Sequence, residues 1–182
     1  MDALRSEKRF TCKDWLAWDE DTRAEITHGN LIMMAPPTQR HQSVSGELFR
    51  QIANFLFGKP CKVFSAPFGV CLNESEDTAF EPDIVVVCDM SKLDGRVCRG
   101  APDMVIEVLS PSTAGRDCIT KYHEYLKSGV REYWIADPDT ETVQIHTLNG
   151  GKYIGAVYGK GETVSVGVLD GCAVNLADVF AR

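Results

Sequence analysis

Met104-Val105-Ile106-Glu107-Val108-Leu109 is a short apolar run with one carboxylate inside it. A second run, Pro82-Asp83-Ile84-Val85-Val86-Val87, carries an aspartate at its head. Both are rich in β-branched residues and too short for a core helix, so they read as strands. Continuous apolar strands are buried on both faces, which predicts a central sheet covered by helices. These two strands decide the fold, and the rest of the chain is read outward from them.

Upstream, apolar residues at Val44, Leu48, Ile52, Phe55 and Leu56 recur at helical spacing. They predict a long amphipathic helix over 41–57, stopped by Gly58 and Pro60. Before it, Ala24 to Ala35 is extended, a hairpin turning at His28-Gly29-Asn30. A short helix over 11–21 has Thr11 as its cap and Trp15 and Leu16 facing inward. Lys62 to Leu72 is a strand, and 73–78 an acidic loop.

Downstream, 112–128 is the second long helix. Its predicted inner face carries Ile119, Tyr122, His123 and Leu126, and Gly129 is its stop. Strands follow over 132–136, 143–148, 153–157 and 163–166. The order of helix, strands, helix, strands is that of an α/β protein with a mixed sheet, and 182 residues suit one domain spanning 1–182.

Composition narrows the function classes. Hydrophobic residues make up 44% and charged residues 25%, values of a folded globular chain. The net charge of -7 disfavours nucleic-acid binding by bulk attraction, so contact with DNA would need a local basic patch, bound cations or a partner. The seven cysteines form no CxxC pair and no zinc-finger spacing, which leads us to expect free thiols in a reducing, cytoplasmic setting. No apolar run approaches the roughly 20 residues needed to span a bilayer.

The chemistry lies in the acids placed within strands. Carboxylates are rarely buried unless paired or metal-bound. If the two acidic strands are neighbours, Asp83 and Glu107 approach to about 5 Å. Like charges near 4 Å repel by roughly 4 kcal/mol at an effective dielectric of 20, so a shared proton, a lysine or a divalent cation must relieve them. Hard oxygen ligands select Mg²⁺ or Mn²⁺. Strand alternation puts Asp103 on the Glu107 face as a candidate accessory acid. On the following helix Asp117 and Lys121 share a face, either as an exposed pair or with Lys121 turned to the carboxylates.

The stretch Gly100-Ala101-Pro102-Asp103 through Glu107 to Ser110-Pro111-Ser112-Thr113, with Arg116, Asp117, Lys121 and Gly129-Val130-Arg131-Glu132-Tyr133-Trp134-Ile135-Ala136-Asp137-Pro138, closely resembles the Uma-two family of predicted restriction endonucleases. That family is a branch of the PD-(D/E)xK nuclease superfamily. The resemblance implies a restriction-endonuclease-like mixed central β-sheet flanked by helices, and a metal-dependent nuclease acting on DNA. It implies Asp83 and Glu107 as Mg²⁺ ligands and catalytic acids. The superfamily's lysine falls at Leu109, which cannot serve, and Lys121 on the neighbouring helix is the candidate replacement. Glu25 resembles an upstream acid of such nucleases, and His41 is a candidate accessory group.

The expected activity is phosphodiester hydrolysis of DNA, with a homodimer suited to cutting two strands. The rival reading is a catalytically silent nuclease fold kept as a binding or regulatory module. Tyr133 and Trp134 are expected in the core rather than as base-stacking groups.

Overall fold

The computed structural model describes residues 8–18, 22–73, 75, 77–110 and 116–181, without the side chains of 116 and 117. In chain order the elements begin with α1 (Cys12–Trp15), β1 (Ala24–Thr27), β2 (Asn30–Met33), α2 (Gln39–Leu56), β3 (Lys62–Ser65), β4 (Gly69–Cys71), β5 (Ala79–Phe80) and β6 (Ile84–Val87). There follow β7 (Val97–Arg99), β8 (Met104–Val108), α3 (Arg116–Ser128), β9 (Glu132–Asp137), β10 (Thr142–Asn149) and β11 (Lys152–Gly159). The chain closes with β12 (Thr163–Ser165), β13 (Ala173–Asn175) and α4 (Leu176–Val179).

The central sheet has six strands in the order β11-β10-β9-β8-β6-β3. It is mixed: β8 runs parallel to β9 and antiparallel to β6. The two acidic strands are therefore neighbours, with Ile84 opposite Ile106. On one face α2 packs Val44, Leu48 and Ile52 against Ile84, Val86, Met104 and Ile106. The other face buries Val85, Val105 and Tyr133 against Tyr125 of α3 and Phe80 of the second sheet. That second sheet has five strands in the order β2-β1-β5-β4-β7. A third small core holds α1 against it through Cys12, Ile26 and Cys71. The expected mixed central sheet flanked by helices is thus the observed architecture, with the second sheet sharing the face that α3 covers.

Local chemistry explains most boundaries. Thr11 caps α1, its side chain accepting from the Asp14 amide while Asp14 reaches back to the Thr11 amide. Thr38 caps α2 by accepting from the His41 amide. Gly129, with φ 88°, adopts the left-handed conformation that stops α3.

Four expectations need correction. The predicted strand over 62–72 is two strands in different sheets, β3 and β4, parted by Ala66-Pro67; proline has no amide to continue a ladder. The inner face of α3 is the predicted apolar one only in part: Tyr122 packs against the core. Ile119 is 64% exposed and His123 is exposed, while Glu124 and Tyr125 are buried. The first helix ends at Trp15, and its predicted continuation to 21 runs into 19–21, outside the described residues. Finally, cysteines expected as thiols are paired, Cys12 with Cys71 and Cys61 with Cys88. The second pairing follows from register, because Lys62 opposes Val87 and the next residues outward are Cys61 and Cys88. Cys98 and Cys172 are buried free thiols.

Candidate active site

The site forms where β6, β8, β1, α2 and α3 meet. Asp83 immediately precedes β6. Its Oδ2 accepts the Val108 amide at 2.7 Å, tying the head of one acidic strand to the end of the other. The same oxygen stands 3.2 Å from His41 Nε2 on α2. That hydrogen bond to Asp83, outweighing burial, raises the affinity of His41 for its proton. His41 Nδ1 is buried without a hydrogen-bond partner among the described residues.

Glu107 is buried within β8. Its Oε1 accepts from Lys121 Nζ at 3.0 Å and from the Tyr125 hydroxyl at 2.7 Å. Lys121 Nζ also reaches Glu25 Oε1 at 2.8 Å, and that oxygen accepts the Glu81 amide at 3.0 Å. One ammonium thus bridges two buried carboxylates carried by different sheets. Burial pushes the Glu107 carboxyl up to about 7; Lys121 opposes the shift, while Glu25 and Asp83 reinforce it. Lys121 is itself held protonated, because the attraction of Glu107 and Glu25 outweighs its burial. Burial, with Glu107 beside it, keeps the Tyr125 hydroxyl protonated and hence a donor.

All of these residues but Tyr125 line one cleft of about 490 Å³. Glu25, Glu81, Asp83 and Glu107 supply its acidic end, with Arg23 and Lys121 as the described cations. Arg23 is itself paired to Glu81 at 2.6 Å. Met34, Pro36, Pro37 and Phe49 add apolar surface to the same cleft. Tyr133 also lines the cleft, and its buried hydroxyl has no hydrogen-bond partner among the described residues.

Five of the six candidate residues are brought together: Glu25, His41, Asp83, Glu107 and Lys121. Asp103 is not among them. It sits at the other end of β8, where Oδ2 accepts the Cys88 amide at 2.6 Å and Oδ1 binds Arg131. It is a clasp between strand ends, and the side-chain alternation that put it on the Glu107 face carries no information about distance along the strand. The side chain of Asp117, the proposed helix-face partner of Lys121, lies outside the described residues. Tyr125 was missed, although it lies four residues after Lys121 and hence on the same helix face.

No metal-ligating group of three or more His, Cys, Asp or Glu side chains occurs among the described residues. The donor set nonetheless suits Mg²⁺, which takes one or two carboxylates and completes its shell with water and substrate phosphate. Asp83 Oδ1 and Glu107 Oε2 accept no hydrogen bond from any described residue, while their partner oxygens are occupied.

An acid heads one strand of the mixed sheet, a second acid lies inside its neighbour, and a lysine binds the second acid and Glu25, the arrangement expected of a restriction-endonuclease-like fold. The family described as "Uma2: Putative restriction endonuclease" matches residues 12–177, and the chain belongs to it. Its fold is similar to the crystal structure of a "putative nuclease belonging to DUF820" from Anabaena variabilis, with TM-score 0.77 and 21% identity. That match covers 94% of this chain and 98% of the other. Two uncharacterised proteins of Synechocystis sp. are similar in sequence. One, slr1290, is 24% identical over 78% of this chain and 75% of its own length. The other, sll1609, is 25% identical over 75% of this chain and 80% of its own. No helix among the described residues is long and apolar enough to cross a membrane.

Proposed function

We propose that the protein is a Mg²⁺-dependent endodeoxyribonuclease, with Mn²⁺ as an alternative ion, in which Asp83 and Glu107 are the metal ligands and Lys121 replaces the lysine missing at Leu109. The observation that carries this reading is the Lys121 ammonium, 3.0 Å from Glu107 and 2.8 Å from Glu25, in the cleft that Asp83 also lines. Family membership supports nuclease activity in general.

When bound, Mg²⁺ supplies a Lewis acid and lowers the pKa of water. The chain's own residues do the rest. His41 and the Val108 amide fix the rotamer of Asp83 and leave its second oxygen open. Tyr125 does the same for Glu107. Lys121 opposes the protonation of Glu107 that burial favours and offers positive charge to a phosphate that gains negative charge in the transition state. Glu25 anchors Lys121 from the second sheet, so the two sheets must keep their spacing for the ammonium to stay in place.

The test is cleavage of plasmid and linear DNA in Mg²⁺ or Mn²⁺. Activity that disappears in Glu107→Ala and Asp83→Asn supports the proposal. Absence of cleavage of every DNA form by folded protein, with both ions, refutes it.

A second reading, a silent nuclease fold acting as a binding or regulatory module, is favoured by the net charge of -7 and by the full occupation of Lys121 by two carboxylates. Calorimetry separates the two, since a silent module binds no divalent ion at millimolar concentration. A homodimer is a further expectation. It would form through the outer edge of β11, which exposes Ile154 at 60% and Val157 at 65%; light scattering of the purified protein tests it.

A further inference from the structure

We infer that the cleft receives a single unpaired nucleotide of DNA, its base packed on the apolar wall of Met34, Pro37 and Phe49 and its phosphate at the carboxylate end. The inference rests on the nuclease reading and names the substrate form that the same site selects.

Charge argues first against an intact duplex. A protein that docks on a duplex neutralises several phosphates with lysine and arginine. Among the described residues lining the cleft, the cations are Arg23 and Lys121, and both are spent on carboxylates. Nearby on α2, Arg40 is spent on the Pro138 carbonyl and Glu141, and Arg50 on Glu47. Four carboxylates, Glu25, Glu81, Asp83 and Glu107, face the same space. Such a surface repels a continuous double row of phosphates, while one phosphate held by a cation is tolerated.

Size and chemistry argue next for a base. A volume of about 490 Å³ is that of a pocket for one small ligand. The duplex major groove alone is about 12 Å wide. Part of the cleft lining is apolar and partly open: Met34, Pro37 and Phe49 are each half-buried. Met33 beside them is 65% exposed. Apolar and aromatic side chains are what a splayed or flipped base packs against, and that packing tolerates any base because each has a π-face. The buried Tyr133 hydroxyl and His41 Nδ1, both without partners among the described residues, add two polar atoms at the same cleft.

The experiment uses the full chain and three DNA 20-mers of one sequence: a perfect duplex, a duplex with one unpaired 2-aminopurine, and a single strand. Cleavage in Mg²⁺ and 2-aminopurine fluorescence are both read. The expected result is that unpaired substrates are cut at least ten-fold faster than the duplex and that the fluorescence is quenched on binding. Phe49→Ala is expected to weaken binding of the unpaired substrate about ten-fold, the range of one lost base–aromatic contact. Phe49 also touches the core, so Met34→Ala, on the rim, is the second variant and reduces the quench without that risk. Duplex and unpaired DNA cut within two-fold of one another, or a quench unchanged in Met34→Ala, overturns the inference while leaving the nuclease reading intact. If no DNA is cut, the nuclease reading fails, and the quench alone decides: present and lost in Met34→Ala it supports base packing, absent it refutes it.

Discussion

Replacing Lys121 by methionine removes the only described cation between two buried carboxylates while keeping the length of the side chain. The Lys121 side chain is 11% exposed, with Glu25 and Glu107 at 7% and 12%. At 2.8 and 3.0 Å and an effective dielectric of 20, each contact carries about 6 kcal/mol of attraction. Desolvation of the three groups takes back much of this in the intact protein. In the variant the carboxylates remain buried and unopposed, a situation that costs about 3–5 kcal/mol. For a chain of this size the loss is about 10 °C in Tm.

The cost depends on pH with a definite sign. Glu107 already holds its proton up to about 7, and without Lys121 it holds it higher still. The folded variant therefore binds a proton that the unfolded chain has released, and the penalty shrinks as pH falls below that value. Urea unfolding at pH 8 and pH 5.5 measures it. The expected loss is about 3–5 kcal/mol at pH 8, and less than half of that at pH 5.5. A loss below about 1 kcal/mol at pH 8, the level of an exposed ion pair, would show that Lys121 does not hold the two acids.

Four further outcomes are expected. Glu107→Gln should gain on the parent protein by about 2 kcal/mol as pH rises from 5 to 8, because a carboxyl raised to about 7 in the folded state loses stability on ionising; equal pH profiles by thermal unfolding would count against the shift. Mn²⁺ affinity, read by calorimetry, should fall about ten-fold per pH unit below 7, since the metal must displace the Glu107 proton; a flat profile contradicts this. Glu132→Ala should cost about 3 kcal/mol in chemical denaturation, because Trp134 Nε1 and the Val168 amide both lose the acceptor they now reach at 2.6 and 2.8 Å; a loss under 1 kcal/mol would show that water replaces it. Gly69→Ala should cost about 1–3 kcal/mol, because the new methyl would stand 2.2 Å from the Trp15 ring, and an unchanged Tm would mean that the α1 packing yields freely.

The sequence declared the strands of the site because acid inside an apolar run violates burial chemistry, and Asp83 and Glu107 both did so. The hairpin of β1 and β2 was legible from its turn, where His28 and Gly29 have φ of 48° and 77°. The face of α3 was not legible from hydrophobic periodicity, because the helix buries Lys121, Glu124 and Tyr125 for pairing and leaves Ile119 outside. Periodicity measures apolarity, and a paired charge is as buried as a leucine without looking like one. The separation of β3 from β4 was hidden for a different reason. Val63-Phe64 and Val70-Cys71 are equally strand-like, and the choice of sheet is made by distant partners, Val86 and Phe80. Pro67 was the available mark of the break. The cysteine pairs were illegible because Cys12 and Cys71 meet only when α1 folds onto β4, a contact with no trace in spacing.

The central claim is that Asp83 and Glu107 hold a divalent ion with Lys121 beside it. Crystals soaked in Mn²⁺ and measured for anomalous scattering test it most directly. The account predicts one peak bound by Asp83 Oδ1 and Glu107 Oε2, with Lys121 still within hydrogen-bond reach of Glu107. A cleft without a peak, at a concentration that saturates calorimetric binding, would contradict it.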